Sequence, residues 1–369
     1  MRVHVVDPSA YTPPYDHSLC AALARGGAEV ELVTSAFAYG SVPAPDGYVL
    51  RERFYRYAAG RPGSTLRLAT KTLEHVPDML FYRRAAVAAD VVHFQWLALQ
   101  PVDRHLLPRR PTVLTAHDLL PREPRPGQIR AQHRLYDAVD AIVTHSEFGR
   151  RQLVERLEVD AAKVRVIHHG AFDYLARLDG GLPAELGSPD GPVVLFFGLL
   201  RPYKGLDVLL DAWRELSELR SGAELWIVGR PRMPIGPLLK DAPPQAKWVT
   251  RFVSDPELAA CFRRADVVVL PYTQTERFDF SGVLATALAF GKPAVISDVG
   301  GFREVADAGA ARLAAPRDPA AVAEALRALL SDPEARARLA EGARAAAAGP
   351  YSWARAAERT LALYRELLA

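Results

Sequence analysis

No stretch limits what this chain can become more than the run from Ser281 to Glu304. Ser281 is a good helix cap, because its hydroxyl can accept from a free amide of the first turn. Val283, Leu284, Ala287 and Leu288 then recur at helical spacing, so one face packs inward. Gly291 ends the helix and Pro293 forbids its continuation. Ala294-Val-Ile-Ser297 is short and apolar enough for a buried parallel strand, and Val267-Val-Val-Leu270 upstream reads the same way. Strand, capped helix and strand make a βαβ unit, the building block of a parallel sheet. The helix N-terminus then points at the carboxyl edge of that sheet, where free amides and the helix dipole favour an anion.

The alternation extends over the whole chain. Val3–Val6, Asp16–Arg25 and Glu29–Thr34 read as strand, helix and strand, followed by strands at Asp90–Phe94, Pro111–Thr115, Ala141–Thr144 and Val164–Ile167. Ala171 to Pro192 is rich in Gly, Pro and Asp and reads as an interdomain linker. A second series follows: Val193–Phe197, a helix from Leu206 to Leu216, Glu224–Val228, Trp248–Val253, a helix from Pro256 to Arg264, and Asp266–Leu270. The expected fold is α/β, with two facing Rossmann-like domains at 1–175 and 176–350 and an interdomain cleft. A C-terminal helix at 351–369 completes it.

Composition narrows the setting. A formal charge of +3 does not call for nucleic acid, and the two cysteines, Cys20 and Cys261, have no metal-ligand spacing. The chain opens directly on Arg2-Val-His-Val-Val and holds no apolar run of the ~18 residues a bilayer requires, so a reducing cytoplasm is expected. Arg51, Arg53, Arg56, Arg61, Arg67, Lys71, Arg83 and Arg84 outnumber the acids of their region and alternate with aromatic residues. Two readings stand for them: a solvated helix face, or a peripheral contact with anionic headgroups or a phosphorylated acceptor.

Several side chains lie where open α/β sheets bind ligands. The stiff loop Asp7–His17 carries Tyr11, Tyr15 and His17; Gln95 and Trp96 follow one strand, and His117 and Asp118 follow the next. In the second half, Gly198-Leu-Leu-Arg201-Pro-Tyr-Lys204-Gly205 is a glycine-bounded basic turn suited to phosphate capture, and Gly229-Arg230-Pro-Arg232 repeats it one unit later.

Six ordered motifs carry a resemblance: Thr115-Ala-His117-Asp118, Thr144-His145-Ser146-Glu147, Val166-Ile-His-His-Gly170, Phe197-Gly198 to Lys204-Gly205, Ala265-Asp266 to Pro271, and Gly291-Lys-Pro to Gly301. Together they resemble the GT-B glycosyltransferases of retaining family 4, along nearly the whole chain. The resemblance implies transfer of a sugar from a nucleotide-diphosphate donor, with anomeric configuration kept and no cofactor beyond the donor itself. Lys204 is implied to grip the diphosphate with Arg201 beside it, and His117 to reach the donor sugar. Gly198, Arg230, Ser281, Gly282 and Val283 fall on the donor side; Tyr11, Tyr15, His17, Gln95 and Trp96 fall on the acceptor side. The terminal helix is implied to cross back onto the first domain. No Asp-x-Asp motif precedes a ligand-facing strand end, so transfer without a metal is expected.

Two departures stand out. Leu199 follows the phosphate-turn glycine where many relatives have arginine, which leaves Arg201 to supply the charge. The family's two glutamates, eight positions apart, fall on Phe278 and Thr286. Glu276 or Asp279 is expected to replace the first, and the Thr286 hydroxyl to meet the ribose. Front-face transfer is the leading reading; a nucleotide-sugar epimerase and a non-catalytic partner subunit are the alternatives. The acceptor stays open among small molecules, polysaccharides and lipid-linked sugars, with a peripheral contact at the inner membrane face also open.

Overall fold

A computed structural model of the chain describes residues 1–121, 124–216, 222–273 and 279–369. The chain forms two compact units. Unit 1 comprises Met1–Gly170, Asp279 and Trp353–Ala369; unit 2 takes the rest, from Ala171 to Ser352.

In unit 1 the strands are β1 (Arg2–Asp7), β2 (Glu29–Thr34), β3 (Val49–Glu52), β4 (Val91–Phe94), β5 (Thr112–Thr115), β6 (Ala141–Thr144) and β7 (Val164–Val166). They form one parallel sheet in the order β3-β2-β1-β4-β5-β6-β7. Its helices are α1 (Pro13–Arg25), α2 (Thr65–Ala85), α3 (Gln100–Leu106), α4 (Gln128–Ala138) and α5 (Glu147–Arg151). Strands β4, β5 and β6 are buried from end to end, which suits their mainly apolar sequences. α1 starts earlier than expected, at Pro13, because proline suits the first helical turn, where its missing amide costs no hydrogen bond. Tyr15 and His17 are therefore helical rather than part of the preceding loop.

Unit 2 repeats the design with β8 (Val193–Phe197), β9 (Glu224–Val228), β10 (Ala246–Val249), β11 (Val267–Leu270), β12 (Ala294–Ser297) and β13 (Ala311–Ala314). Their parallel order, β10-β9-β8-β11-β12-β13, is again that of a doubly wound sheet. Its helices are α6 (Asp173–Ala176), α7 (Leu206–Glu215), α8 (Gly236–Lys240), α9 (Asp255–Arg264), α10 (Gly282–Ala289), α11 (Phe302–Asp307), α12 (Pro319–Ser331) and α13 (Pro333–Ala348). Phe196, Ile227, Val269 and Val295 of the sheet meet Leu209 and Trp213 of α7 and Leu326 of α12 in one buried cluster. Each such side chain stabilises the unit by roughly 1.5–3 kcal/mol relative to leaving it in water.

The expected linker is a correction. Ala171–Pro192 packs on unit 2: Leu175 and Leu186 are buried, and Arg263 donates to the carbonyls of Ala176 and Leu178. Its Gly and Pro content marks irregular backbone, and buried leucines and captured carbonyls are what hold such backbone down. The terminal helix α14 (Trp353–Leu368) belongs to unit 1, where it packs along α1; a Cβ on Gly26 of that contact would lie 2.5 Å from Leu361 Cδ1. Tyr364 also shares a 2.6 Å hydrogen bond with His93.

Candidate active site

In both sheets the strand order reverses at the first strand: β1 against β4, and β8 against β11. Loops at such a switch point diverge and leave room for a ligand. The candidate residues of each unit gather there.

In unit 2 the turn after β8 is made of glycines. Gly198 has φ +110°, and a Cβ on it would lie 2.7 Å from Lys204 Nζ and 3.1 Å from Val283 Cγ2. Gly205 has φ +66°, and its missing Cβ would run into the Pro271 carbonyl oxygen at 1.9 Å. These positions let the backbone fold tightly over the start of α10. Lys204 is only 5% exposed; its ammonium donates to the Tyr272 hydroxyl at 2.8 Å, and that hydroxyl lies 3.1 Å from Ser281 Oγ. Ser281 Oγ in turn accepts from Val283 N at 3.2 Å, so the expected cap is present. A buried ammonium, a hydroxyl pair and the first amides of α10 thus converge on one point. Arg201 is half-buried beside this turn, and its buried Nε has no hydrogen-bond partner among the described residues. Gly282 is exposed at the first turn of α10, and Arg230 is exposed on the neighbouring turn. Tyr272 was missed by sequence reading; the signal lay in its place directly after the strand-ending Pro271.

Gly198→Ala tests this arrangement. The new methyl needs the space of Lys204 Nζ and a left-handed backbone, so nucleotide-diphosphate affinity, read by titration calorimetry, is expected to fall at least about ten-fold with the fold retained by circular dichroism. Unchanged affinity would mean that the lysine does not face the ligand.

In unit 1, Tyr11 and Trp96 lie with ring centroids 4.6 Å apart, Trp96 stacks on His117 at 5.1 Å, and Tyr15 meets His117 edge-on at 4.6 Å. Trp96 Nε1 donates to Thr12 Oγ1 at 2.9 Å. The loop holding these rings is organised by the buried Asp7, whose carboxylate accepts from the amides of Ser9, Tyr11 and Thr12. Asp7 and Thr12 thus hold the loop in place, a role the sequence does not reveal because nothing local distinguishes them from ordinary turn residues. Burial raises Asp7 above the usual carboxylate range, and raises its neighbour Asp16 further.

Behind these rings lies a run of buried histidines. His145 Nδ1–H donates to the Ile167 carbonyl at 3.0 Å, so in the neutral ring its Nε2 accepts, at 3.2 Å, from His117 Nδ1–H. His117 Nε2 then faces the Gln95 side-chain amide at 3.2 Å. The Gln95 amide nitrogen is buried without a partner, and turning the amide over lets it donate to His117 Nε2 and settles both groups. Burial, and then the neighbouring His145, His169 and His93, hold His117 well below the ordinary imidazole range. Both of its nitrogens are therefore engaged inside unit 1, and the ring offers a stacked surface rather than a free lone pair. His17 is a second correction: it does not join this group, but is buried on α1 with Nδ1 2.5 Å from the Tyr48 hydroxyl.

Two donor-side expectations change. Asp279 is fully buried within unit 1, where its carboxylate accepts from Thr144 Oγ1 at 2.7 Å, His145 N at 2.5 Å and Ser146 Oγ. Free donors where β6 runs into α5 consume both oxygens, and none is left for a sugar. Burial pushes this carboxyl up to about 6, against the opposing pull of those hydrogen bonds. Thr286 is 5% exposed and donates its hydroxyl to the Gly282 carbonyl of its own helix at 2.8 Å, so it has no proton to offer a ribose. Glu276 and Phe278 lie outside the described residues.

The basic residues around α2 are exposed or half-buried, and α2 carries exposed apolar side chains among them. Leu66, Leu73, Leu80 and Phe81 are each 42–77% exposed along one side of α2, while Glu74 and Asp78 turn back to accept from the amides of Tyr57 and Tyr55. Among the described residues no helix is long and apolar enough to cross a membrane.

Two Rossmann-like sheets, with a cationic, glycine-bounded turn beside a helix N-terminus, make an α/β architecture suited to an anionic ligand. Comparison with known proteins agrees. Residues 15–171 match the family described as Glycosyltransferase Family 4, and residues 191–332 match Glycosyl transferases group 1. GDP-mannose:glycolipid 4-beta-D-mannosyltransferase of Xanthomonas campestris is 30% identical over 257 residues, covering 61% of this chain and 67% of that protein. D-inositol 3-phosphate glycosyltransferase of Streptomyces avermitilis is 30% identical over 261 residues, covering 63% of this chain and 54% of that protein. Among solved structures, sucrose-phosphate synthase from Thermosynechococcus elongatus aligns over 100% of this chain and 99% of its own, with a TM-score of 0.76 at 20% identity. Anabaena HepE in complex with UDP-glucose aligns over 99% and 100%, with a TM-score of 0.74 at 18% identity. The chain belongs to the group 1 glycosyltransferases of family 4, has their two-domain GT-B fold class, and is a glycosyltransferase.

Proposed function

We propose that this protein transfers a sugar from a nucleotide-diphosphate donor to an acceptor hydroxyl, without a metal and with retention at the anomeric carbon. The observation that carries this reading is the buried Lys204 ammonium at the N-terminus of α10, joined to Ser281 through Tyr272. Charge develops on the diphosphate oxygen as its bond to the anomeric carbon breaks. A fixed ammonium, the neighbouring Arg201 guanidinium and the amide at the start of α10 stabilise that charge without reorganising. The acceptor oxygen bonds to the same carbon on the same face, and its proton leaves with the nucleotide diphosphate. Lys204, Arg201 and the Gly282 amide hold the diphosphate, with Ser281 and Val283 forming the capped turn beneath it, and Gly198 and Arg230 shape its edge. Tyr11, Trp96 and the His117 surface form an aromatic platform on the acceptor side, with Tyr15 and Gln95 fixing the histidine. Family membership supports the transferase reading over an epimerase or an inactive partner. The donor class is supported by relatives whose names or titles carry GDP-mannose and UDP-glucose.

A thermal-shift screen of nucleotide diphosphates and their sugars tests the donor, because a ligand at 100 times its Kd stabilises the native state by about 2.7 kcal/mol. Product configuration tests the mechanism, and the β linkage in the name of the Xanthomonas relative makes this measurement decisive. Transfer is expected to survive EDTA and to give, by NMR, the donor's anomeric configuration. An inverted product, or activity lost to EDTA and restored by a divalent cation, overturns the corresponding part.

A further inference from the structure

A cavity of about 860 Å³ opens in unit 1 on loops following β1, β4 and β5, the same loops that carry Tyr11, Trp96 and His117. Five of its described lining side chains are cationic: Lys71 of α2, Arg104 of α3, Arg125 just before α4, and Arg130 and Arg134 of α4. No carboxylate lines it among the described residues, and none of the five has an ion-pair partner there. The nearby acids are already occupied. Asp103 faces His75 Nε2 at 2.5 Å and accepts from Leu99 N at 2.7 Å, and Asp7 is committed to its own loop amides.

Gathering five cations around one hollow gives it a positive potential that attracts an anion, even though Arg125, Arg130 and Arg134 are themselves exposed to water. Most of the remaining polar lining is engaged within the chain: Thr72 donates to the Leu68 carbonyl, Gln100 to the Leu97 carbonyl and Gln128 to Gln100, so the planar guanidinium forks are the groups that suit phosphate. The volume exceeds what one phosphate needs and matches a small organic ligand, and Leu68, Ala98, Leu99 and Pro101 supply apolar wall.

We propose that this cavity is the acceptor subsite and that it takes a phosphate-bearing acceptor, with Lys71, Arg104, Arg125, Arg130 and Arg134 holding the phosphate. The assignment rests on the transferase reading for the word acceptor, but the anion site stands on its own geometry. The same phosphate chemistry can come from a soluble sugar phosphate or from a lipid headgroup. The exposed leucines of α2, one of the cavity's walls, are the reason to test both.

The test uses the full chain carrying Lys204→Ala, so that the donor turn does not add its own phosphate binding. Glucose 6-phosphate, and vesicles of phosphatidic acid with phosphatidylcholine, are titrated against this protein, with glucose and pure phosphatidylcholine as controls. At least one phosphate probe is expected to bind. Binding of glucose 6-phosphate assigns a soluble phosphorylated acceptor; binding of the vesicles alone assigns a lipid phosphate. Adding Arg130→Ala and Arg134→Ala, both exposed on α4 and so safe for folding, is expected to weaken binding at least ten-fold. Arg104→Ala, from a different helix, is expected to act in the same direction. No binding of either probe, or equal binding by the variants, overturns the proposal. With Lys204 restored, nucleotide-diphosphate affinity is expected to be unchanged by the arginine substitutions. Loss of donor binding alone therefore strikes the transferase reading, and loss of phosphate binding alone strikes this site.

Discussion

Replacing Lys204 with alanine is expected to lower kcat/KM by about 10²–10³-fold, in the range found when one donor to a developing oxyanion is removed. The magnitude follows from placement. The ammonium is almost wholly buried, is held by Tyr272, and sits against Gly198 where any side chain would displace it. A thousand-fold change corresponds to about 4 kcal/mol of transition-state stabilisation. Folding is expected to survive, because removing a buried charge also removes its desolvation cost. Lys204→Met keeps much of the side-chain volume and controls for the cavity left by alanine. Steady-state kinetics with circular dichroism decide the matter: turnover within a few-fold of wild type in both variants would remove Lys204 from the reaction.

Acidification is expected to destabilise unit 1 by a few kcal/mol between pH 7 and pH 5. Burial pushes His93 and His169 down to about 3 and His145 down to about 4, from an ordinary value of 6.5. A lowered folded pKa means that the native state favours the neutral ring. The resulting stability is fully present above pH 6.5 and is lost as pH falls toward the folded values. At pH 5 each ring has forfeited roughly 2 kcal/mol, so the three approach the whole stability of a typical domain. Raised carboxyls act with the opposite sign. Asp279, pushed up to about 6 against an ordinary 3.8, contributes stability at low pH that disappears as pH rises through 6, which offsets about 1 kcal/mol at pH 5. Asp7 and Asp16 act in the same sense as Asp279. Urea titrations at pH 7.5, 6 and 5, followed by tryptophan fluorescence, measure the balance. His169→Gln is expected to flatten the slope by about one proton. A pH-independent midpoint would show that the histidines are not held neutral.

Much of the architecture was legible in the chain because it is encoded locally. Strand runs such as Val267–Leu270 and Ala294–Ser297, the Ser281 cap and the terminal helix all follow from periodicity, capping and glycine punctuation within a dozen residues. β3 escaped notice because it is a short, mostly exposed edge strand with no apolar pattern. Glycine-rich sequence near Gly180 suggested a loose linker, yet Gly180 packs so closely on Pro256 that a Cβ would lie 2.3 Å from its carbonyl oxygen.

The site divides in the same way. Gly198, Lys204 and Ser281 were readable because a strand-to-helix turn places them by its own geometry. Asp279 and Thr286 were misplaced because their roles depend on which donors and acceptors surround them. Asp279 meets Thr144 and Ser146, more than 130 positions away in the chain, and Thr286 turns to its own helix once burial excludes water. Local sequence thus determined the two βα series, the helix aimed at an anion and the residues on its turn, because short-range sterics and capping decide them. Only the tertiary structure decided that Asp279 is consumed in unit 1 and that His117 has both nitrogens engaged. It likewise brought five cations from α2, α3, α4 and the loop before α4 to a single cavity. Burial and electrostatics act through space, between groups that the chain order keeps apart.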